Sequence, residues 1–348
     1  MEQKEHRRQT NGRLEEEITM NTVRIGLIGV GVMGERHCRV YSTLRNIQLI
    51  GITDRDVERG RAVAANYETH YFEGYGQLLD QVDAVSIVTT TPAHFDLAME
   101  ALERGVHVLV EKPITETLEQ AEQLIAEAKR RNRVLQVGHI ERFNPAYIEL
   151  KHVTEEMRLI AVNMRRLSPF DISNTDVDVI RDLMIHDLDL VVDLVGTTLE
   201  GLDAWGRSIS TGEIDHAVAT LSFKNGPIAT LFASRVTEQK VRSVEIIAEG
   251  AYIEADLSTK SLMIHRRTSP EFQAGKYRQE SVIESVFVPL AEPLMLELQH
   301  FVECVREGKP SRVSGQDGLR ALELAQAVTN QANRLMILNK ASSRSAIS

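Results

Sequence analysis

The segment RDLMIHDLDLVVDLVG, residues 181–196, is apolar enough for a buried helix yet carries Asp182, His186, Asp189 and Asp193. Their spacings of 4, 3 and 4 put them on one stripe of an α-helix, with Ile185, Leu188, Val192 and Val195 on another. An imidazole one turn from a carboxylate is a small machine for moving a proton. The ordinary histidine pKa, about 6.5, lies near neutral pH, and the carboxylate orients the ring and stabilises the imidazolium. The alternative is a solvated acidic stripe with His186 at its boundary. Asp189 is a candidate substrate contact, whereas Asp193 is expected to be solvated. His186 and Asp189 also have a metal-ligand spacing, but no further ligand cluster completes a site, so no metal is expected.

A second chemical group closes VHVLVEKP, residues 106–113, where Pro113 stops an apolar strand and restricts Lys112. A lysine there can donate to a substrate oxygen and stabilise negative charge developing on it. Whether Lys112, Asp182 and His186 form a working set depends on the elements that carry them.

Those elements begin with VRIGLIGVGVMGERHCRVYSTLRNIQLIGITDRD, from Val23. A short apolar strand runs into Gly29, Gly31 and Gly34 and then a helix, which is G-x-G-x-x-G in its proper setting. Gly29 permits the tight turn, Gly31 lets the backbone approach a pyrophosphate, and Gly34 allows helix and strand to pack closely. The helix start at Val32 and Met33 then faces the phosphates. A second strand ends in Asp54, 20 residues after Gly34, where a carboxylate can hold ribose hydroxyls and repel a 2′-phosphate. The expected cofactor is therefore NAD, with NADP kept open because Arg55 offers a cation to a 2′-phosphate. Strands AVSIVTTT, VHVLVEKP and RVLQVGH alternate with helices HFDLAMEALERG and TLEQAEQLIAEAKRRN, which predicts a parallel, doubly wound sheet. Thr89 to Thr91, Glu111 to Pro113, and Gly138 with His139 fall at strand C-termini, where ligands of such sheets bind.

The combination of GVGVMG, Asp54, TTTPAH, GVHVLVEKP and DLMIHDLD resembles the Gfo/Idh/MocA family of sugar and polyol oxidoreductases, from about residue 21 onward. The resemblance implies hydride transfer between a CH–OH group and NAD(P), with Lys112, Asp182 and His186 catalytic. It implies cofactor contacts at Thr89, Thr90, His94, Glu111 and Lys112, and a peptide bond to Pro113 of the kind commonly cis in the family. TTTPAH departs from the usual Thr-Pro-Asn-x-x-His in the place of Pro92, and Met184 stands where the family usually has Gly. In VGHIERFNPAY, residues 137–147, Arg142 and Asn144 join Lys112, Asp182, His186 and Asp189 as substrate-binding candidates. Their alternatives are an interdomain salt bridge and a helix cap. Together with the 181–196 segment, this wording is similar to family members that act on nucleotide sugars such as UDP-N-acetylglucosamine at C3, for a partner aminotransferase. Inositol or free-hexose oxidation is the alternative within the family, and a catalytically silent ligand sensor the alternative outside it.

The expected organisation is α/β throughout: a disordered tail over 1–20, with Met20 as a possible start; a Rossmann-type dinucleotide domain over 21–140; and a substrate and oligomerisation domain over 141–348. In the last, period-2 segments broken at Asn225-Gly226 and Glu249-Gly250 predict an open, mainly antiparallel sheet. Its free face suits a second subunit, giving a homodimer or homotetramer. The formal net charge of −10 argues against a nucleic-acid partner. No apolar run approaches the roughly 18 residues that cross a bilayer. The two cysteines, Cys38 and Cys304, suggest neither a disulfide framework nor a zinc site, and fit a cytoplasmic protein.

Overall fold

The computed structural model describes residues 22–170, 177–267, 271–273 and 276–345, so the expected tail over 1–20 and the start at Met20 lie outside the described residues. Two compact units are built, one from residues up to Gly138 plus Leu294–Leu319, the other from His139–Pro293 plus the residues from Arg320 onward.

The first unit holds strands β1 (Val23–Ile28), β2 (Ile47–Thr53), β3 (His70–Tyr71), β4 (Ala84–Ile87), β5 (His107–Glu111) and β6 (Leu135–Gly138). Every pairing is parallel, in the order β3-β2-β1-β4-β5-β6. Helices α1 (Val32–Tyr41), α2 (Val57–Asn66), α3 (Tyr75–Leu79), α4 (His94–Glu103) and α5 (Leu118–Arg131) fill the crossovers. All four residues of β4 are buried, as befits a strand covered on both faces. Local signals set the helix ends. Thr117 and Gln120 form a reciprocal capping box at the start of α5, Lys129 to Arg131 sit in its last turn, and Asn132 ends it in the left-handed region. Strand order reverses between β1 and β4, and their C-terminal ends are where the glycine loop and Thr89 emerge.

In the second unit, β7 (Leu159–Leu167), β8 (Leu199–Arg207), β9 (His216–Phe223), β10 (Ile228–Ser234), β11 (Val241–Ala248), β12 (Ala251–Asp256), β13 (Ser261–Arg267) and β16 (Ser281–Ser285) form one sheet, while β14 (Glu271–Gln273) and β15 (Lys276–Arg278) make a separate ribbon. The order is β16-β13-β12-β11-β7-β10-β9-β8, antiparallel except between β7 and β10. Gly250, at φ +77, lets a two-residue turn join β11 to β12. One face buries Val162, Met164, Leu221, Leu231, Val244 and Ile246 in a core shared with α6 (Pro145–Thr154) and α7 (Ile185–Val195). The opposite face carries Trp205, Ile228, Ile247, Met263 and Ile283, all exposed.

The division differs from the expected one. The boundary falls at 138/139 rather than 140/141, and α8 (Pro293–Glu307) with the start of α9 (Gly315–Ser345) belongs to the first unit. The cause is pairing beyond the reach of sequence periodicity. Val137 N–H donates to the Val313 carbonyl at 3.1 Å, Gln136 Nε2 to the Glu297 carbonyl at 3.3 Å, and Ser311 Oγ to Gln136 Oε1 at 2.8 Å.

Candidate active site

In the glycine loop, Gly29 has φ +89, and a side chain there would strike the Val88 carbonyl. Gly34 backs onto the Gly29 carbonyl so closely that no β carbon fits. Gly31 differs: an added β carbon would meet nothing within 4 Å. That opening lies at the N-terminus of α1, beside Val32, which is 76% exposed, and Met33. A site that needs backbone close to a ligand phosphate has the required space, so the residues present fit a dinucleotide.

Asp54 ends β2 as expected, but its carboxylate is already engaged. It accepts from Val30 N–H at 2.6 Å, Asp56 N–H at 2.8 Å and Arg59 Nη2 at 2.8 Å. Burial would raise its pKa, but Arg59 and the two amides outweigh burial and hold it below the usual carboxylate range. The cation beside Asp54 is therefore Arg59, from the first turn of α2, while Arg55, expected in that place, is exposed. A helical arginine capped behind Asp56 was the available signal.

At the ends of β4 and β5, His94 is buried, with Nδ1 at 2.9 Å from the Pro113 carbonyl and Nε2 at 3.1 Å from the Thr89 carbonyl. It thus sits between two strand ends, its single N–H when neutral donating to one carbonyl or the other, and burial lowers its pKa. Thr90 is exposed beside Thr89, and the turn Thr91–Ala93 carries the displaced Pro92. The Lys112–Pro113 bond is cis, as the resemblance implied. Glu111 turns inward: it accepts from Lys112 N–H at 3.2 Å and lies 3.3 Å from His37 Nε2. Burial opposes its ionisation, but His37 and Lys112 hold its pKa down. Below it Glu297 of α8 is wholly buried, and burial together with Glu111 drives its pKa well up. Neither His37 nor Glu297 carried a sequence motif.

In the second unit, the Asp182–His186 segment is not a regular α-helix. Ile180–Met184 forms a π-helical turn, capped where Asp178 Oδ1 accepts from Ile180 and Arg181 N–H, both at 2.9 Å, and α7 begins only at Ile185. Such turns are rare inside helices and recur at functional sites. The single stripe expected from 182 to 193 is thereby broken. Asp182 and His186 stay partly exposed, whereas Asp189 is buried. His139, at the end of β6, stands edge-on to His186 with ring centroids 6.3 Å apart. No spacing rule had linked these two histidines.

Asp193 is not solvated either. It accepts from Tyr147 Oη at 2.6 Å and Lys151 Nζ at 2.7 Å, and pairs with Arg142. Asp189 takes Arg142 Nε and Nη2 at 2.6 and 2.7 Å. Arg142 thus makes an ion pair within its own unit rather than between domains. Asn144 caps α6, accepting from Ala146 N–H at 3.1 Å and donating to the Leu257 carbonyl at 2.9 Å. The apolar stripe is also wider than expected, because Leu190 and Val191 are buried with Ile185 and Leu188. α7 lies between the sheet and the helical turns after β6, so both sides are covered. On its sheet side Asp187 is bound by Arg166 at 2.7 and 2.9 Å.

Among the described residues no cluster of three or more metal-ligating side chains forms, and no helix is long and apolar enough to cross a membrane. A parallel sheet with a glycine cradle at its switch point, and a second unit bearing a carboxylate on a π turn and an imidazole on the α-helix that follows it, define a dinucleotide-dependent enzyme. Residues 23–139 match the oxidoreductase family's NAD-binding Rossmann fold, and residues 175–336 its C-terminal alpha/beta domain. The chain is 36% identical over 308 residues to a UDP-N-acetylglucosamine 3-dehydrogenase of Acidithiobacillus ferrooxidans, covering 88% of this chain and 96% of the relative. A solved structure of the enzyme of that name from the same organism matches with a TM-score of 0.82 at 35% identity, over 89% of this chain and 97% of the other. A scyllo-inositol 2-dehydrogenase (NAD(+)) of Bacillus subtilis is 28% identical over 327 residues, 88% of this chain and 93% of the relative. The chain belongs to the Gfo/Idh/MocA oxidoreductase family, and acts as an NAD(P)-dependent dehydrogenase on a CH–OH group.

Proposed function

We propose that the protein oxidises the C3 hydroxyl of UDP-N-acetylglucosamine to the 3-keto sugar, with NAD as hydride acceptor and an aminotransferase consuming the ketone. The observation that carries this reading is the 36% identity to a UDP-N-acetylglucosamine 3-dehydrogenase along 96% of its length. In this reading His186 removes the hydroxyl proton, Asp182 orients the ring and stabilises its cation, and Lys112 donates to the oxygen as it gains charge. The glycine loop, the amides of Val32 and Met33, and Asp54 hold the dinucleotide, while Glu111 and His94 fix the backbone on either side of Lys112. Bound NAD supplies the electron-poor ring that takes the hydride.

The test is NADH formation from NAD and UDP-N-acetylglucosamine, with a carbonyl trap, against free N-acetylglucosamine, glucose and inositol. Turnover of the nucleotide sugar alone supports the proposal. Turnover of inositol or a free sugar alone replaces it with the second reading, which the 28% identity to an inositol dehydrogenase supports. Cofactor binding without turnover of any member of the panel would favour a sensor. We also propose that the exposed face of the second sheet, with Trp205 and Ile247, packs on a second copy. Trp205→Glu should then lower the mass seen in sedimentation. A cytoplasmic location fits the unpaired, buried thiols of Cys38 and Cys304.

A further inference from the structure

Arg166 of β7 and Arg242 of β11 stand directly opposite each other in an antiparallel pair, so their side chains share the helix-facing side of the sheet. Like charges in that position repel, and a fold gains nothing from the arrangement by itself. Arg166 is fully compensated, with Asp187 at 2.7 and 2.9 Å and Glu141 at 2.7 Å. Arg242 is not. Its Nη1 donates to the carbonyls of Leu167 and Val241 and its Nη2 to Ser168 Oγ at 2.9 Å, all neutral acceptors. Among the described residues no carboxylate comes within ion-pair distance of it.

Those bonds fix the guanidinium in one orientation and use three of its five N–H groups. Nε–H and one Nη2–H are left without an acceptor among the described residues. Nε and Nη2 together form the edge of a guanidinium that can grip two oxygens of a phosphate side-on. Burial first, and then the charge of Arg166, lower the pKa of Arg242 to about 10, while Asp187, Glu141 and Asp182 act in the opposite sense. Among the described residues the group is a partly buried, preoriented cation short of negative charge. It also lies in the electrostatic reach of Asp182, and its cross-strand partner holds Asp187, the residue after His186.

We infer that Arg242 anchors the diphosphate of the substrate, so that the enzyme selects nucleotide sugars over neutral sugars and polyols. This inference rests on the nucleotide-sugar reading above. In such a substrate the diphosphate hangs from C1 of the same ring whose C3 hydroxyl reacts, which calls for a cation beside the proton-transfer pair rather than at the glycine loop.

The experiment compares the full-length wild type with Arg242→Met and Arg242→Lys. It measures KM and kcat on UDP-N-acetylglucosamine, and Kd for UDP and for NAD by calorimetry. Loss of a charge-assisted, two-pronged contact should raise the KM and the Kd for UDP by roughly 10–100-fold in Arg242→Met. The effect should be smaller in Arg242→Lys, with kcat and the Kd for NAD within about threefold of wild type. UDP and substrate binding unchanged within twofold in Arg242→Met overturns the anchor and leaves the proposed function standing, and weakened NAD binding in place of weakened UDP binding overturns it too. If Arg242→Met does not fold, Arg242→Lys decides by the same UDP measurement. A wild type that binds no UDP and oxidises only neutral sugars overturns the nucleotide-sugar reading itself, and the anchor with it.

Discussion

Arg142 and Asp189 meet through two hydrogen bonds of 2.6 and 2.7 Å, with their side chains only 5% and 2% exposed. The pair ties the turn after β6 to the middle of α7, and Asp193 adds a second carboxylate to the same guanidinium. Removing one partner of a buried pair costs more than the pair contributes, because the remaining charge stays desolvated. Asp189→Ala should therefore lose about 3 kcal/mol in denaturant unfolding. A loss under about 1 kcal/mol, the range of exposed pairs, would show that water reaches the site.

On the proposed reading, Asp54 and Arg59 set the choice of dinucleotide between them. Arg59→Ala leaves the carboxylate in place and takes away the neighbouring cation, so NADP use should fall relative to NAD. Asp54→Ser does the reverse, and kcat/KM for NADP over NAD should rise roughly tenfold, equivalent to about 1.4 kcal/mol. Measuring that ratio in both variants checks the assignment, and a shift in the same direction in both would refute it.

Asp215 is buried and accepts from the amides of Ile209 and Ser210, both at 2.7 Å, from Thr211 Oγ1 at 2.7 Å and from Arg235 Nε at 3.0 Å. Burial opposes ionisation, but the Ser210 amide, the Thr211 hydroxyl and the other donors bring the pKa down to about 2. A depressed folded-state pKa stabilises the protein above the unfolded value, about 3.9, and that stabilisation disappears as pH falls toward 2. Asp215→Asn should be less stable than wild type by roughly 2 kcal/mol at pH 7. Unfolding curves taken from pH 7 down to pH 2 should show the difference shrinking only below about pH 4.

His186→Ala and Lys112→Ala should each lower kcat by roughly 10²–10⁴-fold while the Kd for NAD barely moves. Asp182→Asn keeps the size of the side chain and removes its charge, so the acidic limb of the kcat profile should shift along the pH axis. Near wild-type turnover in both alanine variants would remove these residues from the mechanism.

The glycine loop and the Lys112-Pro113 strand end are legible in the sequence because each lies within a few residues, where spacing alone reports geometry. The turn at Glu249-Gly250 is legible for the same reason. Arg59, His139 and the Arg166–Arg242 pair are not, since each gains its meaning from a partner on another strand or helix. Asp193 shows the limit of helical periodicity. A carboxylate at the edge of an apolar stripe looks solvated until Arg142, Tyr147 and Lys151 arrive from another element. The π turn at Ile180–Met184 escapes for a different reason: one extra residue per turn leaves no mark in residue type, yet it offsets Asp182 from the α-helical spacing.

The return of Leu294–Leu319 to the first unit makes the unit that carries the glycine loop discontinuous along the chain. Protein synthesis delivers β6 long before the strand-like and helical segments that cover it. Until the ribosome has released all of His139–Pro293, Gln136 and Val137 lack the partners that α8 and Ser311–Val313 later provide. At roughly 5–20 residues per second that interval lasts on the order of ten seconds. The dinucleotide unit is therefore completed late, and a fragment ending near residue 140 should reach the chaperones as an open sheet edge rather than as a free-standing domain.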